Sequence, residues 1–475
     1  MSKDRGGRRE GRRTMRVEIL HTPGVAVSLA LVLVCCLIFA TRSFATPLKA
    51  GTAMTDVTPP LGHPMWGYSD RHGVSEKVLD PLHAKALVLD DGERKLAIVG
   101  LDLGRVPDRQ GMQFIHDRVK NSTGITNLLI VASHTHQGTA VEDRTWHSPE
   151  KPWVADMEAK VAEVIEKANG NLREARIGTG HGEVYIGHNR RVVRKDGTVL
   201  MLWRDAERIP TTPVDPDVGV IRVDDTSGQP IAIVVSYACH PVVLGPDNLN
   251  ISADYPGVMM EMVQRELGST CIFLQGACGD INPYMDKTPI KENGIEEMKK
   301  AGEALGQEVV RVAQAIVTKP SPNAAIRFRD DEFDFEPRWD LESPGALDKL
   351  YKAYGKETVD RYIAQFKDMR CSMATTLIND NLALVGMPGE FFVEFQLDLK
   401  SRSPVKDTFF LGYCNGYQAY FPTIRAAAEG GYGAGYQTFV EVGAGERMVD
   451  RAVINLYRFL GKLQDRVPIP PMPVE

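Results

Sequence analysis

The chain has no Cys-x-x-Cys pair, no basic stripe after residue 50 and no internal repeat. The first absence sets aside a structural zinc finger. Of its seven cysteines, Cys35 and Cys36 fall in an apolar N-terminal run, which leaves Cys239, Cys271, Cys278, Cys371 and Cys414. That odd, irregularly spaced set is no disulfide framework; one bridge among Cys239, Cys271 and Cys278 is open in an oxidising compartment, and buried free thiols are the simpler reading. A net charge of −6 without a basic stripe argues against a nucleic-acid partner. The glycine-rich stretch 430–436 does not lead from a strand into a helix with phosphate-binding spacing, so it argues against a nucleotide site.

Two terminal segments stand apart from the rest. Lys3, Arg5, Arg8, Arg9, Arg12, Arg13 and Arg16 precede the apolar run Val25 to Ala40, and Ser43-Phe44-Ala45 follows as a small-x-small cleavage pattern. Residues 1–45 therefore read as a secretory signal peptide, with an uncleaved signal anchor as the alternative. Both readings export the bulk of the chain (secreted, periplasmic or cell-surface), and the anchor implies membrane association through the apolar segment. Residues 466–475 form a Pro-rich tail that will not pack as regular structure.

Between them, strand-like and helix-like segments alternate. Ala84 to Leu89, Lys95 to Leu101, Leu128 to Ala132, Gly219 to Val223, Pro230 to Cys239, Cys271 to Gln275 and Asn381 to Val385 read as strands. Gln110 to Asn121, Trp153 to Ala168, Tyr255 to Leu267, Ile295 to Val317 and Arg447 to Leu463 read as helices. The charged, Pro-rich stretch Pro320 to Pro344 reads as a connector or an edge excursion. The fold class is α/β, a layered mixed β-sheet core with flanking helices, in one large domain over residues 46–465.

Residues capable of chemistry gather just past the apolar strands. Ser133-His134-Thr135-His136 follows Leu128 to Ala132, and strand geometry with its period of two would point both imidazoles to one side. His240 follows a second strand and precedes Pro241; Glu390 follows a third after Pro388-Gly389; Tyr420 closes the aromatic cluster Asn415 to Tyr420. A catalytic zinc needs three or four N or O ligands at about 2.0–2.2 Å and an open position for water, and such a set is on offer. Taken singly, each has a plainer role: a hydrogen-bonded core histidine, a carboxylate at a helix start, a packed ring. Ser252 and Asp254 read as helix-capping groups.

Eight ordered blocks resemble the neutral, non-lysosomal ceramidases. They are Gly51 to Pro60, Gly67-Tyr68, Asp80 to Ala86, Ser133 to Gly138, Cys239-His240-Pro241, Gly279 to Pro283, Pro388 to Phe391 and Asn415 to Tyr420. The resemblance covers roughly residues 50 to 460 and implies a zinc ion (Zn2+) held by His134, His240, Glu390 and Tyr420. It gives His136 a catalytic role as hydrogen bonder or proton shuttle, and makes Arg190 a substrate-binding residue. It also implies a small-molecule or lipid substrate, a linear amide such as an N-acyl sphingoid base. Two departures bear on this. Asn282 stands where the family has a Ser proposed as catalytic, so Asn282 is expected to act as a polar contact beside metal-activated water. The family's ceramidases also carry a C-terminal immunoglobulin-like domain, whereas this chain ends soon after its terminal helix. The alternatives are a hydrolase of the same scaffold acting on another ester or amide, and a binding protein without catalysis.

Overall fold

In the computed structural model of the protein, the described residues are 46–464 and 466, except 142, 143, 145–149, 151, 357, 358, 361, 362, 364–368 and 436. The expected signal segment and nearly all of the Pro-rich tail lie outside them.

Two facing sheets organise the chain. The first has nine strands, eight of them in the order β8-β7-β6-β5-β1-β2-β3-β4, with Lys319–Pro320 paired to β5. These strands are β1 (Lys49–Asp56), β2 (His83–Asp90), β3 (Lys95–Leu101), β4 (Asn127–Ala132), β5 (Arg173–Glu183), β6 (Asp217–Asp225), β7 (Pro230–Tyr237) and β8 (Thr270–Gln275). The second sheet has the order β9-β10-β11-β13, formed by β9 (Ile326–Asp334), β10 (Arg370–Ile378), β11 (Leu382–Gly386) and β13 (Asp407–Leu411). Between β11 and β13 in sequence, the short β12 (Glu390–Phe391) pairs in parallel with β14 (Tyr420–Phe421).

Side-chain alternation assembles these sheets into layers. Leu87, Leu89, Leu129 and Val131 point inward and share one core with Leu382, Leu384, Phe409 and Leu411 of the second sheet. Ala86, Val88, Leu128 and Ile130, one residue out of phase, face a second core. There they meet α1 (Arg109–Thr123), α2 (Trp153–Gly170), α3 (Asp254–Leu267) and α4 (Gly294–Ala315) through residues such as Ile115, Val161, Ile165 and Val309. On the far side, α5 (Val393–Arg402) and α6 (Ala444–Phe459) cover the second sheet through Phe395, Leu399, Met448 and Val449. The result is a helix–sheet–sheet–helix stack, the layered α/β core that the alternating pattern predicts. Strands covered on both faces explain why β2 and β4 are nearly continuous apolar runs.

Local chemistry sets the element ends. Asp108 caps α1, accepting from the Gly111 N–H at 2.8 Å, and Gly124 ends the helix in a left-handed conformation. At α3 the residue in the cap position is Ala253, but the two expected capping side chains do satisfy first-turn N–H groups, Ser252 Oγ accepting from Asp254 N–H at 2.9 Å and Asp254 from Tyr255 N–H at 2.7 Å. Asp254 itself adopts φ 56 and accepts from the N–H groups of Tyr255 and Leu244, while Ser252 donates to Asp80. The charged stretch after Pro320 supplies an edge strand, β9, rather than a connector. All five described cysteines are buried and free.

An ionic knot joins the two sheets. His181 on β5 lies 2.9 Å from Asp217 of β6 and 3.4 Å from Asp407 of β13, and Lys400 of α5 reaches Asp215 and Asp217. The hydrogen bond that His181 donates to Asp217 raises its pKa above the ordinary 6.5, so its stabilisation is complete below that value and fades as pH rises through the raised one. We expect the melting-temperature gap between the wild type and His181→Gln to be largest near pH 5.5 and to close by about pH 9. A thermal-shift series over pH checks this.

Candidate metal centre

Three β-α-β crossovers give parallel pairs, β3 with β4, β7 with β8 and β11 with β13. All the candidate residues but Arg190 come from chain just beyond their C-terminal ends, where α/β sheets open their ligand crevices. His134 follows β4, His240 follows β7, Asn282 follows β8, Glu390 follows β11, and Tyr417 and Tyr420 follow β13.

The two-residue spacing of His134 and His136 does not act through a strand pleat. β4 stops at Ala132, and His134 takes a left-handed φ of 68. A turn therefore brings the rings together. Thr135 ties it down, its hydroxyl donating to the Ser252 carbonyl at 2.8 Å, and Gln137 donates to Leu244 O at 2.7 Å. Gly67 packs so tightly on His136 that a Cβ there would lie 2.4 Å from the ring. On the opposite wall, Asn415 bonds the exposed edge of β4 as a further strand would, accepting from Ile130 N–H at 2.9 Å and donating to Leu128 O at 2.7 Å.

Tautomers follow from the backbone partners. His134 Nδ1 lies 2.7 Å from the Gly104 carbonyl and His240 Nδ1 lies 3.0 Å from the Ile281 carbonyl. A carbonyl only accepts, so each Nδ1 carries the hydrogen and each Nε2 presents a lone pair. Both lone pairs face the Glu390 carboxylate: Oε2 is 3.4 Å from His134 Nε2 and 3.2 Å from His240 Nε2. His136 Nε2 stands 3.4 Å from His134 Nε2, and the ligand atoms of the three imidazoles all lie within 4.8 Å of one another. Acceptors facing acceptors repel unless a cation sits among them. A tetrahedral zinc with ligands at about 2.05 Å sets neighbouring ligand atoms about 3.3 Å apart, which the His134–Glu390, His240–Glu390 and His134–His136 separations of 3.4, 3.2 and 3.4 Å match. The donor set fits the ion.

Burial sharpens that preference. It pushes His240 down to about 4 and His136 well below its ordinary range, so both rings are neutral at neutral pH. Burial works to raise the Glu390 carboxyl, and only positive charge at the His134–His240 side holds it well below the ordinary carboxylate range; with the rings neutral, a bound cation would supply that charge.

The surrounding wall is aromatic and cationic. Tyr413 stacks on His134 at 4.1 Å between centroids, and Trp66 meets His134 and His136 edge-on. Tyr417 donates to Glu390 Oε1 at 2.5 Å. Tyr420, opposite Glu390 in the β12–β14 pair, accepts from Arg190 at 3.1 Å. The same guanidinium donates to Asn282 Oδ1 at 3.1 Å and to Gly279 O at 2.6 Å, and lies over the rings of Trp203 and Tyr432.

The structure thus brings His134, His136, His240 and Glu390 into one cluster and joins Tyr420, Arg190 and Asn282 to it through a hydrogen-bonded wall. His136, expected as a hydrogen bonder, sits among the ligand nitrogens. Tyr417 was overlooked in the sequence although its block was singled out; its place three residues before Tyr420 was the available signal.

Fold and site together define an α/β protein with a buried histidine–carboxylate cluster that could hold a metal ion. The model for the N-terminal part of the neutral/alkaline non-lysosomal ceramidases matches residues 48–289, just over half of the 475 residues, and the chain belongs to that family. Glu390 and Tyr420 lie beyond the match, and the fold alone delivers them. A curated relative, neutral ceramidase A of Dictyostelium discoideum, is 25% identical over 225 residues, 44% of this chain and 30% of its own length, so the shared region spans under a third of that relative. The crystal structure of neutral ceramidase from Pseudomonas aeruginosa superposes with a TM-score of 0.69 at 17% identity, covering 89% of this chain and 76% of that one. A ceramidase complexed with C2 gives 0.68, also at 17% identity, covering 89% and 77%. These likenesses show a common fold.

Tyr417→Phe removes one hydrogen bond from the Glu390 carboxylate and leaves the ring in place. Zinc affinity measured by competition with a chelator is expected to fall about 10–100-fold, with the melting temperature of the metal-free protein nearly unchanged.

Proposed function

We propose that this protein is an exported zinc-dependent hydrolase that cleaves a linear amide, with an N-acyl sphingoid base or related N-acyl lipid as substrate. The observation that carries the reading is the ring of acceptors around one point, the Nε2 lone pairs of His134 and His240 against Glu390 Oε2. Family membership supports the reaction class. His134, His240 and Glu390 hold the ion, with Tyr420 as the further ligand beside Glu390. Bound there, zinc supplies a lowered water pKa and polarisation of the scissile carbonyl.

The chain's own groups do the rest. His136, neutral through burial, accepts the proton of the attacking water at Nε2 and delivers it to the leaving nitrogen, so that amide and water become acid and amine. Arg190, fixed by Gly279 O, Asn282 and Tyr420, presents its positive charge toward developing negative charge on the carbonyl oxygen. Asn282 carries no nucleophile and is engaged at both ends, with Oδ1 on Arg190 and Nδ2 on Asp286. It is a positioning residue, and the reaction passes through no acyl-enzyme on a serine. Among the described residues no helix is long and apolar enough to cross a membrane, so the anchored form rests on residues 1–45.

Purified protein is expected to contain one zinc per chain by elemental analysis and to release fatty acid from N-acyl amines. His134→Ala and His240→Ala each abolish metal retention while circular dichroism stays native. Unchanged zinc in either variant rules out the assignment. Stoichiometric zinc without release of any acyl group points to a binding protein on the same scaffold.

A further inference from the structure

His134 and His240 leave strands that stand far apart in the order of the first sheet. β4 closes that order at one end, and β7 lies next to β8, which closes it at the other. The sheet folds back on itself, so that β8 crosses the face of β3 and touches β4; a Cβ on Gly100 of β3 would lie 2.7 Å from the Phe273 carbonyl oxygen of β8. Parallel pairing fixes β8 to β7, in register from Ala232 with Thr270 to Tyr237 with Gln275, but among the described residues no ladder joins β8 to β4. The exits of β4 and β7 are therefore held together by something other than strand pairing.

Gln275, the last residue of β8, bonds both exits with one side chain. It is fully buried, and its Nε2 donates to the Ser133 carbonyl at 2.9 Å and to the Cys239 carbonyl at 3.0 Å. Those carbonyls belong to the residues directly before His134 and His240. Its Oε1 accepts from Gly276 N–H at 3.1 Å and from Cys239 N–H at 3.4 Å, so both protons and both lone pairs of the amide are used. A carbonyl only accepts, so a group seated between two of them must donate twice, and a primary amide does this from one atom without burying a charge. The main-chain carbonyl of Gln275 also accepts from Gly412 N–H at 2.9 Å, which ties the same residue to the exit of β13. Beyond the two histidines the loops meet again, where His136 N–H donates to Pro241 O at 3.4 Å and Gln137 to Leu244 O at 2.7 Å. The loops are thus pinned on both sides of the ligands, and Gln275 is the pin on the near side.

We infer that Gln275 is a positioning residue for the metal centre: its amide sets the spacing of the His134 and His240 backbones, and through it the spacing of their Nε2 atoms about Glu390 Oε2. The inference rests on the metal-centre reading and adds to it a group that is not itself a ligand. The two rings stand 5.0 Å apart between centroids, and their Nδ1 bonds to Gly104 O and Ile281 O orient each ring on its own loop. Those bonds do not stop one loop from sliding against the other. A slide of about 0.5 Å is enough to spoil a metal constellation, and the amide of Gln275 opposes it.

The test measures zinc affinity by chelator competition in Gln275→Met, which keeps the length and loses every bond of the amide, and in Gln275→Glu, which keeps the acceptor and loses at least one donation. Asn455→Leu is the control: Asn455 is also a fully buried amide, bonded to Asp331 and Thr375 of the second sheet, so its removal costs stability away from the centre. Affinity is expected to fall about tenfold or more in both Gln275 variants and to stay near that of the wild type in the control. The visible absorption of the cobalt-substituted Gln275 variants is expected to shift, a sign of altered ligand geometry that general destabilisation does not produce. A smaller fall in either folded Gln275 variant, an unshifted cobalt spectrum, or an equal fall in Asn455→Leu overturns the inference; Gln275→Glu decides if Gln275→Met does not fold. A wild type that takes up no zinc overturns the metal-centre reading itself, and this inference with it.

Discussion

A single carboxylate oxygen, Glu390 Oε2, faces the lone pairs of two imidazoles inside a stack of sheets that excludes water. This arrangement is unfavourable without positive charge at its centre, and much of the local structure serves to hold it. The carbonyls of Gly104 and Ile281 fix the tautomers of His134 and His240, and Tyr417 and the β12–β14 pairing fix the carboxylate. Gly279 lets the chain pass Glu390 so closely that a Cβ there would lie 2.4 Å from the Glu390 carbonyl oxygen. Removing a ligand side chain would leave the others as unpaired buried acceptors. The packing thus favours a cation at this point.

The two-sheet architecture explains how ligands more than two hundred and fifty positions apart meet. Parallel pairs in both sheets end at the same place, so the loops beyond β4, β7 and β8 face the loops beyond β11 and β13 across one crevice. Backbone strain gathers there. His134, Tyr413, Asn415 and Ala419 all adopt positive φ without being glycine. Such conformations persist only where surrounding bonds over-determine them, and the side-chain pairing of Asn415 with the edge of β4 is one such bond. It stitches the second sheet to the first within a few residues of His134.

Much of this was legible in the sequence. Apolar runs such as Leu128 to Ala132 and Cys271 to Gln275 announce strands buried on both faces, and helices such as Trp153 to Gly170 announce themselves by their apolar stripe. Placement of His134, His240 and Glu390 after strand ends was readable for the same reason. Two kinds of fact were hidden. Backbone turns that replace a pleat, as at His134, depend on contacts with Ser252 and Leu244 more than a hundred residues away. Roles decided by which oxygen a hydroxyl reaches, as for Tyr417, have no periodic signature.

Asn282, which stands where the resemblance to the ceramidases places a serine, makes sense as electrostatics. Arg190 is fully buried, and burial alone would lower its pKa, yet the phenols of Tyr420 and Tyr432 and the charge of Glu390 hold it protonated. A serine offers that guanidinium one oxygen. Asn282 offers an oxygen to Arg190 and a nitrogen to Asp286, so a buried cation and a buried anion are joined through a neutral amide dipole aligned with both charges. Direct contact of Arg190 with Asp286 would neutralise the cation that we assign to the carbonyl oxygen. Spacing them by one amide preserves the charge on Arg190 that we assign to the carbonyl oxygen.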